Sequence, residues 1–490
     1  MTRSSTTVTR TAARHRIIAP DLARGLTLLG IALANVGTAW VGNDAADLAA
    51  GYGGVYDNSV LDKISVVLGT MFVHVRGLPM FATLVGLGVG MITMSLWRRG
   101  YPPGSARGVL ARRYGFLALF GLIHMVFIFF GDIMVFYGLA GIVLGLLISL
   151  RDKILLWIAG VLLALQAVVF TALGVFTALN PDISNAFSGS AGFGTPNTYG
   201  ENLLLGLLAV MNNTIGFPLQ ALIYMPLLLL GFVAARRGVF TDVASHRRLL
   251  LTWTGVGAAV VVLIGLPWGL AEIGVLPVTL APLFQMMNLG FGQLTGPAII
   301  AAVALLSRPL QERVDRARAA GDPVVLPLPV WALLALGKRS MTGYVLQSVF
   351  FLIAVKPFAL GLGEGQGAFE LSLIAFVVWL LTLLIALGLE YAGKPGPLEH
   401  LHRLLSYGRN GLQQRWMPRE HRLANAVPAG PAGGQTVPAD GLSGAERADA
   451  AGAETEHLPG AGRPPVPHNT GPAAHRYAQA NRGSTEERRD

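Results

Sequence analysis

Cysteine is absent from the 490 residues of this chain, and only 13% of them are charged. The first absence excludes disulfides, thiolate metal ligands and a cysteine nucleophile. The second excludes an ordinary soluble domain, in which roughly a quarter of the residues carry charge. Also missing are a Gly-x-x-x-x-Gly-Lys-[Ser/Thr] loop, a His-Glu-x-x-His pair and a Ca²⁺-binding loop, so P-loop ATP hydrolysis and zincin chemistry find no support. The histidines are too sparse for a metal cage, and no metal is expected. What is present is hydrophobic: 53% of the residues, a mean hydropathy of +0.55, and apolar runs long enough to cross a bilayer that recur over the first 390 positions. The expected class is all-α, a polytopic transmembrane helix bundle.

Long apolar runs place about ten spans, near 17–40, 78–97, 110–130, 133–150, 154–179, 217–235, 249–275, 279–307, 340–358 and 370–392. The connections alternate in charge. Arg3, Arg10, Arg14 and Arg16, Arg98, Arg99, Arg112 and Arg113, Arg151 and Lys153, Arg236, Arg237, Arg247 and Arg248, and Lys338 and Arg339 fall on one side. Asp44, Asp47, Asp57, Asp62, Asp132, Glu272 and Glu364 fall on the other. The positive-inside rule then puts both termini in the cytoplasm, and the net charge of +10 reflects topology rather than nucleic acid. Asp21 and Arg24 interrupt the apolar stretch that a cleaved signal peptide would need, so the first span is expected to be retained.

Three stretches read as amphipathic interfacial helices: 57–77 and 202–215 on the outer face and 326–336 on the inner face. The organisation is therefore a basic cytoplasmic start over 1–16, a transmembrane domain over 17–408, and a tail over 409–490. The tail is too poor in large apolar residues to bury a core and is expected to be disordered.

Charges at bilayer depth are costly, so each asks for a partner or a wet cavity. Asp21 and Arg24 share a helix face, with Arg24 roughly 10 Å from the inner surface. They can form an internal ion pair, or Arg24 can anchor an anionic ligand entering from the cytosol. His124 is the one histidine well inside a span, roughly 21 Å from the inner face, where it is either a hydrogen-bonded interhelical group or a proton acceptor. Asn35, His74, Arg76, Asp132, Tyr137, Gln285 and Asn288 fall at a similar outer depth, as expected of a cavity opening outward. Asp132 lies eight residues beyond His124, about 12 Å along a continuous helix and too far to orient the imidazole. Only a break at Gly131 would bring it back. The four-residue spacing of Gly86 and Gly90 marks helix packing.

These blocks together resemble the YeiB family, a bacterial membrane family defined by domain of unknown function 418. The opening segment from Asp21 to Asn35, the Leu78–Gly88 block, Arg112 through Gly121-Leu-Ile-His124 to Gly131-Asp132 and Tyr137, the Gly337–Ser348 block with Tyr344 and Gln347, and Gly396-Pro-Leu-Glu399 carry the resemblance. It spans roughly residues 15 to 408. Lys338-Arg339 stands where that family usually has a single Arg, and Leu78-Pro-Met-Phe differs from its more common pattern.

More distantly the chain is similar to multi-pass acyltransferases such as heparan-α-glucosaminide N-acetyltransferase. That likeness implies a cytosolic acyl-CoA donor, a hydroxyl or amine acceptor on a sugar or lipid-linked molecule, and residence in a bacterial plasma membrane. For such a reaction His124, as general base, and Asp132 are the catalytic candidates. The ligand-binding candidates are Asp21, Arg24, Asn35, His74, Arg76, Tyr137, Gln285, Asn288, Tyr344 and Gln347. Arg98, Arg99, Arg112 and Arg113 could hold the donor's phosphates, although topology alone accounts for them. The expected partners are the bilayer and a small-molecule, glycan or lipid substrate, with no nucleic acid; homo-oligomerisation stays open. The rival readings are a transporter or flippase using the same polar cluster, and a scaffold acting through its tail.

Overall fold

Each apolar run closes as a helix because the chain supplies start and stop signals at its ends. Proline opens the first turn of α4 (Pro103–Phe127), α10 (Ala281–Phe291), α12 (Leu328–Lys338) and α15 (Pro397–Tyr407). Glycine in the left-handed region follows α3 (Gly77–Arg98) at Gly100, α7 (Tyr199–Arg236) at Gly238 and α11 (Thr295–Ala320) at Gly321. The computed structural model describes residues 17–42, 45–180 and 196–417. Among these residues the fold is helical throughout, with one isolated β-bridge between Leu48 and Val55. The basic start over 1–16 and the expected disordered tail beyond 417 lie outside the described residues.

Among the described residues eight helical segments are long and apolar enough to cross a membrane, and three shorter apolar helices accompany them. α1 (Ile18–Asn35) runs on into a π-helical turn over Val36–Trp40, α3, α4 and α7 follow the expected spans, and the one expected at 279–307 is α10 joined to α11 through a 3₁₀ turn over Gly292–Leu294. So do α6 (Asp152–Leu179), α8 (Arg247–Val260), which α9 (Leu266–Glu272) prolongs, and α14 (Ala368–Tyr391). The expected spans at 133–150 and 340–358 are shorter. They are α5 (Met134–Leu146) with its 3₁₀ extension to Ser149, and α13 (Ser340–Val355). Sixteen residues reach about 24 Å, less than a bilayer core of about 30 Å. The outward surface is apolar: α6 exposes Trp157, Val168 and Leu179 while Gln166 and Thr177 are buried. Apolar residues outside and polar ones inside suit lipid as the surrounding solvent.

The tightest crossings depend on missing side chains. A Cβ on Gly86 of α3 would stand 2.0 Å from Leu228 O of α7, and one on Gly231 of α7 would stand 2.0 Å from Thr83 O. The spacing of Gly86 and Gly90 thus marks the α3–α7 contact. At the other crossing, Gly337 of α12 lies against the Asp21 main chain of α1.

Of the three stretches expected as interfacial helices, 202–215 departs from expectation. Residues 202–215 are the opening turns of α7, whose 38 residues run unbroken past Pro218 and Pro226. They stay helical because they pack on α4, with Gly206 against the Val126 carbonyl. α2 (Val60–Phe72) turns Asp62 and Thr70 inward and Leu61, Ile64 and Leu68 outward, the apolar stripe expected of an amphipathic helix at a lipid surface. α12 is lodged on α1, with Ala335 and Leu336 fully buried. Residues just past 408 are docked rather than loose, because Arg99 donates to the carbonyls of Leu412 and Gln413 and Trp416 N–H donates to Arg99 O.

Because the chain lacks cysteine, a single introduced thiol reports orientation without background. With basic loops inside, Glu364→Cys should react with an impermeant maleimide on intact cells, and Ser245→Cys only after permeabilisation. The opposite pattern would invert the topology.

Candidate active site at the α4–α5 turn

α4 stops at Phe127, and the N–H groups of Ile128 and Phe129 both donate to the His124 carbonyl. The chain then reverses over 128–133 before α5 begins. Two contacts hold the reversal. The Phe129 ring stacks on Trp40, with centroids 4.5 Å apart, and Gly131 leaves room for that ring where a Cβ would come within 2.7 Å of it. The 12 Å separation inferred for a continuous helix therefore does not apply. Asp132 Oδ2 lies 2.6 Å from His124 Nδ1, and both residues are buried.

Asp132 does two things. Its Oδ1 accepts the Val135 N–H at 2.9 Å, capping the first turn of α5, while Oδ2 holds the imidazole. Gly121, one turn before His124 on α4, makes the approach possible: a Cβ there would meet Val135 N at 2.3 Å and Asp132 Oδ1 at 2.6 Å. An ionised carboxylate only accepts, so it places the proton on Nδ1 and leaves the Nε2 lone pair available. Nε2 is buried and has no hydrogen-bond partner among the described residues. The His124 ring instead faces aromatic neighbours, Tyr344 at 5.1 Å and Phe129 at 6.3 Å between centroids.

Tyr344 separates His124 from a cavity of about 260 Å³. Phe81, Leu84, Val85, Leu117, Ile133 and Tyr137 form its apolar wall, and Asp21, Arg24, Arg113, Lys338, Glu399 and His402 line its charged end. Most of these charges are matched. Arg24 pairs with Asp21 at 3.0 Å, and Lys338 pairs with Glu390 at 2.6 Å, as does Arg339. Glu399 of α15 accepts the N–H groups of Met341 and Thr342 at the start of α13. Arg113 donates to Tyr407 Oη at 3.1 Å and lies over its ring. His402 hydrogen-bonds the Arg113 carbonyl at 2.8 Å. Burial, with the Arg113 charge adding to it, pushes this imidazole down to about 4.

The polar groups expected at one outer level form two separate groups. His124, Asp132, Tyr137, Tyr344 and Gln347 gather where α4, α5 and α13 meet. Tyr137 Oη donates to Leu78 O, and Gln347 Nε2 donates to Leu28 O, leaving Gln347 Oε1 and Tyr344 Oη buried without partners. Arg76 belongs to the other group. It donates to Asn288 Oδ1 at 2.8 Å and to the carbonyls of Met71, Val75 and Thr70, so its donors are spent within the fold. Beside it, Gln285 donates to Tyr52 Oη at 2.5 Å, and His74 meets Tyr52 edge-on at 4.9 Å. Asn35 ends α1 half-buried and joins neither group. Sequence reasoning passed over Tyr52, Glu399 and His402 as site residues. It named Arg113 only among four cations that could hold the donor's phosphates, and the Gly396–Glu399 block was the one sign that α15 mattered.

The fold and this buried polar centre define a multi-pass helical membrane protein. Residues 234–409 match the family described as "Protein of unknown function (DUF418)", so this part of the chain is similar to that family. The matched region covers α8 to α15, so it includes Tyr344, Gln347, Glu399 and His402 and excludes the His124–Asp132 pair. No curated protein matches the chain.

Two outcomes follow from this geometry. Gly121→Ala should cost about 1–3 kcal/mol through forced displacement of α5, whereas Gly115→Ala, six residues earlier and facing open space, should be neutral or stabilising. Thermal unfolding in detergent compares the two. For α15, the docked His402 stays neutral down to about pH 4, while the undocked ring takes up a proton below its ordinary 6.5. Docking is therefore complete above that value and is lost as pH falls toward 4. A spin label on Leu401→Cys should gain mobility over this window, and adding His402→Gln should flatten the response.

Proposed function

We propose that the chain is an acyltransferase of the bacterial plasma membrane, moving an acyl group from a cytosolic acyl-CoA to a hydroxyl or amine presented from the other side. The observation that carries this reading is the imidazole of His124, fixed through Nδ1 by Asp132 and left with an unpartnered buried Nε2. A base in this state takes a proton from an attacking group and returns it to a leaving group. The acceptor oxygen or nitrogen adds to the thioester carbonyl as its proton passes to Nε2. The C–S bond then breaks, and the sulfur leaves as the thiol with that proton. The Nδ1 contact stabilises the imidazolium in between, as in other carboxylate-oriented histidines.

The cavity supports the donor side of the reading. Its charged end carries Arg113, which meets no carboxylate among the described residues, and Arg groups suit phosphate. Its apolar wall leads to Tyr344, whose ring covers His124. Movement of Tyr344 would join the cavity to Nε2, and its hydroxyl is a candidate donor to the developing oxyanion.

One observation favours transport as a second reading. A separate cavity of about 270 Å³, lined by Tyr52, His74, Val36 and Gly37, lies beside the π turn that follows α1. Carriers build their sites where a helix is interrupted, and the π turn after α1 is such an interruption.

The test is transfer of the labelled acetyl group of acetyl-CoA to membrane glycans and lipids by purified protein in proteoliposomes. His124→Ala should lower turnover at least about a hundredfold, and Asp132→Asn should lower it less while shifting its pH dependence. Full turnover by His124→Ala would remove the base from the scheme, and solute uptake without acyl-CoA would decide for transport.

A further inference from the structure

A second feature of the basic end has no part in acyl transfer. α8 packs along α11 and stands off from α6 and α7, leaving a groove of about 270 Å³ between them. Its walls are Leu156, Leu230, Val233, Trp253, Pro297 and Ala301, and Thr83 at its base spends its hydroxyl on Pro79 O. From Leu230 to Arg237 along α7 is roughly 10 Å, so the groove runs from the basic end well into the apolar layer.

Among its lining residues Arg237 is the single charged one. Its side chain is 48% exposed and keeps only a long contact, 3.4 Å through Nε, to Asp152. Arg236 takes that carboxylate more closely, at 3.1 Å, and is further held by the Leu150 carbonyl and the Trp97 ring. Arg247 and Arg248, both exposed, open α8 at the same end, and Leu249 at the groove's edge is exposed as well. An apolar slot in the surface, topped by a half-exposed guanidinium with one long ion-pair contact and with two further arginines opening α8, is complementary to one chain and one phosphate of a lipid.

We propose that this groove binds an anionic phospholipid, its acyl chain lying along Leu230 and Trp253 and its phosphate against Arg237. Charge complementarity selects the occupant: a zwitterionic lipid offers the same chain but brings a cation to a cationic mouth.

The experiment uses the full-length protein in neutral detergent, with native mass spectrometry and thermal unfolding after addition of phosphatidylglycerol, phosphatidylcholine or inorganic phosphate. Phosphatidylglycerol should be retained and raise the melting temperature above the other two. Arg237→Gln should reduce its preference over phosphatidylcholine about fivefold. Leu249→Glu, an exposed site that leaves the core intact, should reduce it further. Equal stabilisation by both lipids would mean ordinary surrounding lipid and overturn the proposal. So would stabilisation by phosphate alone, or an unchanged preference in both variants. Activity of the His124 site is untouched by any of these outcomes.

Discussion

Within hydrocarbon a polar group that finds no partner inside the chain finds none at all, and at three junctions this fold meets that constraint with carboxylates placed at helix starts. Asp132 takes Val135 N–H at the head of α5, Glu399 takes Met341 and Thr342 N–H at the head of α13, and Asp62 takes Phe369 N–H at the head of α14. Each satisfies donors that a helix cannot satisfy itself and places negative charge at the positive end of the helix dipole. Each also ties together segments that length alone would leave free: Asp62 spans 307 residues and Glu399 spans 57.

The candidate active site grows out of one of these junctions. Asp132 already caps α5, and its second oxygen is what His124 uses. The imidazole is therefore oriented by a group whose position is fixed for structural reasons, with Phe129 and Trp40 clamping the turn and Gly121 clearing the space. A base supported in this way needs no reorganisation when charge appears on it. Tyr344 joins the same logic, because it stands on α13, whose first turn Glu399 holds, and so links the imidazole to the charged end of the cavity through a single helix.

Helix packing follows a different rule. Apolar side chains gain little by leaving lipid for protein, so the close crossings rest on glycine: Gly86 and Gly231 between α3 and α7, Gly25 and Gly337 between α1 and α12. Where side chains stay large, as between α8 and α7, the helices remain apart and a groove is left.

Hydropathy and the run of Gly and Pro by themselves determined that this chain is a helical membrane bundle. They located nearly every span, because burial in lipid is decided residue by residue along the chain. The pairing of Asp21 with Arg24 was legible for the same reason, being a matter of one helix face. The His124–Asp132 contact was not: linear spacing set them about 12 Å apart along a helix, and only the reversal held by Phe129 and Gly131 closed the gap. Nor could the one outer polar level be resolved into two groups, since depth says how far along the membrane normal a residue lies but not which helices it faces. The true course of 202–215 was hidden too, as its helix continues because α4 is there to receive it. Periodicity is local and survives in sequence, whereas the meeting of residues from different helices depends on turns and close approaches that exist only once the bundle has packed.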